Sequence, residues 1–389
     1  MQMARGAVFL LADKQKSRYN KRKKNRERCN SNMKKSIPGR ILKVLLCVLL
    51  AVFLIAAIYV AYVFLTFHRL PDQLPLEVRG GRTENARIDT EYKLVSFNTG
   101  FGAYEPDYGF FMDGGTQSWA WSKERLQNNL AAIRDFLQEQ QADFCLLQEV
   151  DEDATRTYHV NERALMEAAL ADYDSVYAQN WDSAFLMYPL TQPHGKTRCG
   201  IMTFSRLAIS DALRRSLPIE DSVMKLVDLD RCYSVARVPV ENGRELVLVN
   251  MHLSAYTSDG TIATRQLEML LADLAAEYEK GNYVVCGGDF NKDLLGDSSR
   301  YFGISGEDYT WAQPIPEEMF AGLPLTLTAA SNAPSCRVAE GPYTPQQYVL
   351  TLDGFIVSDN VTVNSCRVID TGFAYSDHNP VEITFSLAE

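Results

Sequence analysis

Twenty-four consecutive residues without a charge, a proline or a glycine limit what this chain can be. They run from Val44 to Phe67 (VLLCVLLAVFLIAAIYVAYVFLTF), directly after Lys43. At about 1.5 Å rise per residue, roughly 20 such residues cross the hydrocarbon core of a bilayer. A buried helix of a soluble protein would carry a polar stripe, and this run has none. A cleavable signal peptide has a shorter apolar region, roughly 7–15 residues, followed by a small-x-small cleavage site. Here the run ends in HRLPDQLP instead. Residues 41–67 therefore read as an uncleaved transmembrane helix.

The flanks give that helix a direction. Residues 1–40 hold 13 Lys or Arg and two acids, Asp13 and Glu27. Basic flanks stay on the cytoplasmic side. The expected topology is single-pass, with a basic, disordered cytoplasmic segment over residues 1–40 and everything after residue 67 outside. Of the chain's 39 Lys and Arg and 49 Asp and Glu, residues 1–67 hold 14 and 2, which leaves the outer part at a formal charge of -22. A protein that grips long nucleic acids neutralises phosphates with Lys and Arg. An outer part this acidic weakens that reading without excluding a local basic path.

Residues 68–91, with Pro71, Pro75 and the Gly80-Gly81 pair, read as a linker, and residues 92–389 as one domain. YKLVSF (92–97), DFCLLQEV (143–150), CGIMTFS (199–205), CYSVARVPV (232–240), ELVLVNMHL (245–253) and NYVVCGGDFN read as strands. A further strand is expected around Ser175–Gln179, and LDGFIVS, VTVNSCRVI and VEITFSL close the chain. Glu241-Asn242-Gly243 marks a hairpin. Leu126, Leu130, Ile133 and Leu137 recur at helical spacing behind Ser122, a candidate N-cap. A second helix places Ala164, Leu165, Ala168 and Ala169 on one face. A third runs from about Thr261 to Lys280, closed by Gly281. Residues 305–350 read as irregular. Six cysteines lie in this domain without CxxC or CxxH spacing. Cys336 and Cys366 are open to pairing in an oxidising compartment.

The polar residues of interest share one position. Asn98, Glu149, His252, Asp289 with Asn291, and Asp377 with His378 lie at or just past strand ends, and Asp353 precedes a strand. Strand ends converge on one rim of a sheet, where distant segments meet. Singly, each is a commonplace turn or core residue. Together they fit phosphoester hydrolysis assisted by a hard metal ion. Mg²⁺ takes oxygen ligands, here Glu149 with Asn98 and Asp377. Asp289 would accept the proton of the attacking water. Asn291 would hold that water or a phosphate oxygen. His252 and His378 would bond the phosphate as its charge builds. Asp353 would orient His378. His68, His159 and His194 read as surface residues, and Tyr104, Phe110, Phe111, Trp119 and Trp121 as loop packing that flanks Asn98.

In order along the chain, VSFNTG, LLQEVD, NMHLS, GGDFNKD, LDGFIVS and SDHNPV resemble the motif series of the endonuclease/exonuclease/phosphatase superfamily. The resemblance spans residues 92–387. It implies an α/β (α+β) fold, a four-layer sandwich of two packed β-sheets flanked by helices. It also implies a divalent cofactor, usually Mg²⁺ with Mn²⁺ or Ca²⁺ as alternatives, and in-line attack of water on phosphorus. Residue by residue, Glu149 matches the metal-ligand Glu and Asn98 the Asn after the first strand. Asp289 and Asn291 match the catalytic Asp and Asn. His252, Asp353, Asp377 and His378 fall in their places. Members place a Tyr or Arg mid-chain against phosphate. Here Asn180, Tyr188, Lys196 and Arg198 are available, and Arg198 is preferred. The expected protein is a monomeric, membrane-anchored phosphoesterase acting on a lipid, sugar phosphate or nucleic acid. The alternatives are an extracytoplasmic nuclease and a non-catalytic binding module on the same fold.

Overall fold

The computed structural model describes residues 3–255, 261–303 and 312–389. It separates into two units, Met1–Leu65 and Thr66–Glu389. A single helix, α1 (Met3–Thr66), accounts for the first. Its stretch Gly39–Thr66, 28 residues, is long and apolar enough to cross a membrane. The basic segment is helical from Met3 rather than irregular as composition suggests. Lys, Arg, Gln, Ala and Glu are good helix formers, and the segment continues straight into the apolar helix.

The second unit opens with β1 (Leu74–Pro75), β2 (Val78–Arg79), β3 (Tyr92–Asn98), α2 (Lys123–Gln140), β4 (Phe144–Ala154), α3 (Glu162–Ala169) and β5 (Asp174–Asp182). There follow β6 (Thr197–Ser205), β7 (Asp211–Ser216), β8 (Cys232–Pro239), β9 (Glu245–His252), α4 (Thr261–Glu279), β10 (Tyr283–Asp289) and α5 (Ser298–Phe302). The chain closes with β11 (Leu325–Thr328), β12 (Cys336–Arg337), β13 (Val349–Leu350), β14 (Asp353–Ser358), β15 (Val361–Val368) and β16 (Val381–Leu387). One seven-stranded sheet has the order β1-β7-β8-β9-β10-β14-β11, the other β15-β16-β3-β4-β6-β5-β2. Both mix parallel and antiparallel pairs. Helices cover the outer faces, so the expected sandwich of two sheets with flanking helices is what forms.

Side-chain alternation explains the layering. Leu94 and Leu146 face Leu248, Val285 and Phe355 between the sheets. Their neighbours Val95 and Leu147 point the other way, onto Leu126, Leu130, Ile133 and Leu137 of α2. Ser122 caps α2 by accepting the Arg125 N–H at 3.1 Å. On the opposite face Leu267, Leu270, Leu271 and Leu274 of α4 cover Val247, Val249 and Val284. Truncating one such leucine to alanine costs about 2–5 kcal/mol. Helix α3 differs from its sequence reading. It buries Glu162 and Met166, while Leu165 is exposed.

Residues 68–91 are no free linker. They add β1 to the edge of one sheet and β2 to the edge of the other. Pro75 is tolerated because an edge strand does not need every N–H. All eight cysteines are unpaired, Cys336 being buried and Cys366 packing at the core between the sheets. A buried polar bridge ties the sheets together beneath the rim. Gln148 Nε2 donates to Asn250 Oδ1 at 2.8 Å, and Asn250 Nδ2 donates to Leu147 O and Met202 O.

Candidate active site

Register sets three site residues in one row. In the parallel pair β9–β10, His252 lies opposite Asp289, and in the antiparallel pair β10–β14, Asp289 lies opposite Asp353. The second sheet supplies the facing side. Asn98 ends β3 beside Gln148, and Val381 of β16 pairs with Ser96, which brings the preceding turn to Asn98. Glu149 does not end its strand, since β4 continues to Ala154. It sits at a bulge between Leu147 and Val150 with φ 56°, and that left-handed kink re-aims its side chain.

The groups converge on one oxygen. Asp289 Oδ2 accepts from Asn98 Nδ2 at 3.0 Å and lies 3.5 Å from His252 Nε2 and 3.6 Å from His378 Nε2. Its Oδ1 accepts the Asn291 N–H at 2.8 Å. Burial pushes the Asp289 carboxyl up to about 7, against the pull of the His378 charge. Asn291, also left-handed at φ 50°, is anchored through Nδ2 to Leu253 O at 2.8 Å. The two histidines are driven apart. Burial, with the charges of Arg231 and His378, holds His252 well below the usual imidazole range, so it is neutral. Burial is the largest single influence on His378 and acts against its charge, but the Asp353 carboxylate, with Cys336 and Asp289 beside it, together outweighs burial and holds the imidazole well above that range. His378 Nδ1 donates to Asp353 Oδ2 at 2.8 Å, and Ser335 Oγ donates to the same oxygen at 2.7 Å.

The acidic side of the site suits a hard cation. Burial and the charge of Asp377 push the Glu149 carboxyl up, a penalty that a bound divalent ion would relieve. A side chain at Gly100, φ +52°, would place its Cβ 2.9 Å from Ser376 Oγ and 3.2 Å from Asp377 Oδ1, so the glycine lets that turn close. Asn98 differs from the expected ligand. Its amide nitrogen faces Glu149 Oε1 at 3.1 Å and Asp289, while its oxygen accepts the Gly100 N–H. It bridges the carboxylates, and coordination would require the amide to turn over. Among the described residues, Asp289, Asp353 and His378 form a cluster whose ligand atoms lie within 4.8 Å of one another.

Arg198 stands elsewhere. Its Nε pairs with Glu152 Oε2 at 2.8 Å, and the side chain does not line the cleft, whereas its strand neighbour Cys199 does. Consecutive strand residues face opposite ways, so one register step removes Arg198 from the cleft side. The cations that do line the cleft are Arg156, Arg231 and Arg337. Arg156 is occupied by a two-point contact with Asp151 at 2.8 and 3.0 Å. Arg337 Nη2 donates to the carbonyls of Tyr104 and Glu105. Arg231 is different: it is 5% exposed, and its Nε and Nη1 have no hydrogen-bond partner among the described residues. A buried guanidinium with two idle nitrogens is suited to receive an anion. Its only trace in the sequence is its place just before strand β8, on the same rim as the other site residues.

The cleft measures about 380 Å³. Phe101, Tyr104, Phe110 and Trp181 form apolar wall, so the aromatic loop after Asn98 both packs and faces the site. His194 lines it too and is no surface residue. It is 2% exposed beside Phe110, Phe111 and Trp181, and burial followed by the Arg156 charge lowers its imidazole to about 3. His68 and His159 are exposed as expected.

Comparison with known proteins bears on the family and the fold. The sequence profile of the endonuclease/exonuclease/phosphatase family matches residues 95–378. A solved endonuclease/exonuclease/phosphatase from Beutenbergia cavernae DSM 12333 is 18% identical over 77% of this chain and 72% of its own, with a TM-score of 0.54. An endonuclease/exonuclease/phosphatase family protein from Leptotrichia buccalis C-1013-b is 14% identical over 76% of this chain and 100% of its own, with a TM-score of 0.52. At such identities the likeness concerns the fold. No curated protein matches the chain.

Proposed function

The chain belongs to the endonuclease/exonuclease/phosphatase family, and from that premise we propose a membrane-anchored, Mg²⁺-dependent phosphoesterase whose catalytic domain lies outside the cytoplasmic membrane. The observation that carries the reading is the convergence of Asn98, His252 and His378 on the buried Asp289 carboxylate. In this reading residues 41–67 are the anchor and residues 92–389, with the strands before them, the catalytic domain.

Asp289, with its carboxyl near 7, accepts the proton of the attacking water at Oδ2. Asn98 holds that oxygen in place through its amide N–H, and Asn291 offers its amide oxygen to the water. The new P–O bond forms as the ester P–O bond breaks on the opposite side. His378, protonated by virtue of Asp353, donates from Nε2 to a phosphoryl oxygen as charge accumulates. Neutral His252 hydrogen-bonds the phosphoryl group without adding charge. Arg231 takes a second non-bridging oxygen with its idle N–H groups. Glu149 and Asp377 are the carboxylates that would hold the cation, which when bound supplies charge neutralisation at the phosphoryl and leaving oxygens.

The cleft volume of about 380 Å³ suits a head group or a sugar phosphate better than a nucleic acid duplex. The formal charge of -22 beyond residue 67 points the same way. The test is a substrate panel with Mg²⁺: duplex and single-stranded DNA, RNA, phosphatidylinositol, sphingomyelin and inositol phosphates. Turnover of a small phosphoester or lipid that disappears in Asp289→Asn and His378→Ala supports the reading. Turnover of DNA or RNA alone would transfer the assignment to a nuclease, and inertness towards all of them to a binding module.

A further inference from the structure

The catalytic unit begins at Thr66, and its first residues are tied down beside the cleft. Arg69 Nε donates to Asp230 Oδ1 at 2.6 Å and Nη2 to Leu217 O at 2.8 Å. The Leu70 N–H donates to Asp230 Oδ2, and Asp72 accepts the Ser216 N–H at 2.8 Å. Lys225 Nζ lies 5.9 Å from the centre of the Phe67 ring. His68 Nε2 lies 3.9 Å from Asp182 Oδ2, whose other oxygen holds Lys196 Nζ at 3.2 Å. These partners border the site: Trp181 precedes Asp182, and Leu229 and Arg231 flank Asp230, all three lining the cleft.

Around this point, between charges such as Asp221 and Lys196, large apolar side chains stand exposed. The hairpin over residues 183–196, closed by a bridge between Leu186 and Gly195, exposes Tyr188 by 70% and Leu190 by 81%. The turn Val223–Leu226 exposes Val223 by 68% and Met224 by 52%. Met112 on the cleft wall is 54% exposed, and the ring of its neighbour Phe111 lies 5.7 Å from that of Tyr188. Among the described residues after Thr66, ten large apolar side chains are exposed, and seven belong to these three segments. Scattered singly, such residues need no explanation, but gathered on one rim they do.

We propose that this rim rests on the bilayer that anchors the chain, with Tyr188, Leu190, Val223 and Met224 in the boundary between head groups and acyl chains. The cleft mouth then opens onto lipid head groups. The occupant is argued from the tether: no residue separates the helix Gly39–Thr66 from Phe67, and the apolar loops surround the residues that follow it. Tethering makes docking on that membrane an intramolecular event, so four modest apolar contacts suffice. The domain's negative charge selects a zwitterionic surface over an anionic one. The inference rests on the reading of residues 41–67 as an anchor and is independent of turnover.

The test uses the full chain in phosphatidylcholine vesicles, with and without acyl-brominated phosphatidylcholine as a contact quencher. Leu190→Trp and Val223→Trp each add a reporter on the rim, and Asn364→Trp adds one on β15, at the opposite edge of its sheet. Brominated lipid should quench the added emission at 190 and 223 by about half and leave that at 364 unchanged. Adding Leu190→Asp should reduce quenching at 223 by lifting the rim. Equal, low quenching at all three positions overturns the proposal, as does quenching at 223 that ignores Leu190→Asp. Protection of 190 and 223 from an aqueous quencher without any effect of bromine would overturn it in favour of a protein partner or a second copy. A loss of turnover on soluble phosphoesters bears on the catalytic reading and leaves these outcomes interpretable.

Discussion

His378 and Asp353 form a buried pair, Nδ1 to Oδ2 at 2.8 Å, that keeps the imidazole charged inside a desolvated site. Asp353 lies opposite Asp289 on the neighbouring strand, so the pair and the Asp289 carboxylate are placed by a single register. Replacing Asp353 with Asn keeps the shape and removes the charge. Burial then governs His378, and the imidazole should be neutral at pH 7. The expected loss in kcat is about 10²–10³-fold, the range seen when one transition-state donor is lost. Proton-coupled NMR of the His378 ring, titrated in both proteins, checks the cause: an unchanged ring titration refutes it.

Arg231 and Arg198 offer a paired comparison. Arg231→Ala removes two buried nitrogens that have no partner among the described residues, and kcat/KM should fall by about 10²-fold. Arg198→Ala removes a half-buried partner of Glu152 outside the cleft and should change kcat/KM less than about twofold. Arg231→Lys should recover only part of the loss, because a point charge does not replace a two-point donor. The reverse ranking would return the phosphate contact to Arg198.

The cation should act through Glu149. In the intact protein Mg²⁺ at about 100 times its Kd should stabilise the fold by about 2.7 kcal/mol, read as a rise in Tm. Glu149→Gln should abolish that rise while leaving the metal-free Tm equal or higher, since a buried carboxyl beside Asp377 is removed. A Tm response that survives in Glu149→Gln would place the ion elsewhere, with Asp289, Asp353 and His378 the next candidates.

How far the sequence spoke depended on whether a residue's signal was local. The site motifs were legible because each lies at a boundary or bulge of an apolar strand, Asn98, Glu149, His252 and Asp289 at ends or a bulge and Asp353 and the Asp377-His378 pair at or before starts, and both sheets bring those points to one rim. The clamp on the last motif was not. Residues 335–337 lie in a stretch that reads as irregular, yet the Arg337 N–H donates to Asp377 O and the Asn379 N–H to Ser335 O. Such pairing depends on a partner forty residues away and leaves no local period. Helix α3 shows a second limit. Small alanines at helical spacing suggested its inner face, but Met166 and Glu162, the first residue of the helix, carry the burial, the latter by accepting the Asp151 N–H. His194 shows a third, because a histidine between Pro193 and Gly195 looks like surface until aromatic neighbours from other loops enclose it.

That enclosure makes His194 a source of acid sensitivity, and the sign follows from its lowered imidazole. Above about pH 6.5 the ring is neutral in both folded and unfolded chains, and it contributes no pH dependence. Between about 6.5 and about 3 the unfolded chain takes up a proton there that the folded chain refuses. Stability should therefore fall with falling pH across that window, at a limiting slope of roughly 1.4 kcal/mol per pH unit from this residue. His194→Gln cannot take up that proton and should flatten the profile, while its amide can still reach the Ser118 and Thr197 hydroxyls that stand 3.5 and 3.4 Å from the ring nitrogens. Chemical denaturation of both proteins at pH 7.5, 6, 5 and 4 measures the difference. Parallel profiles for the two proteins would mean that His194 is protonated in the folded state, and that its aromatic cage opens to water.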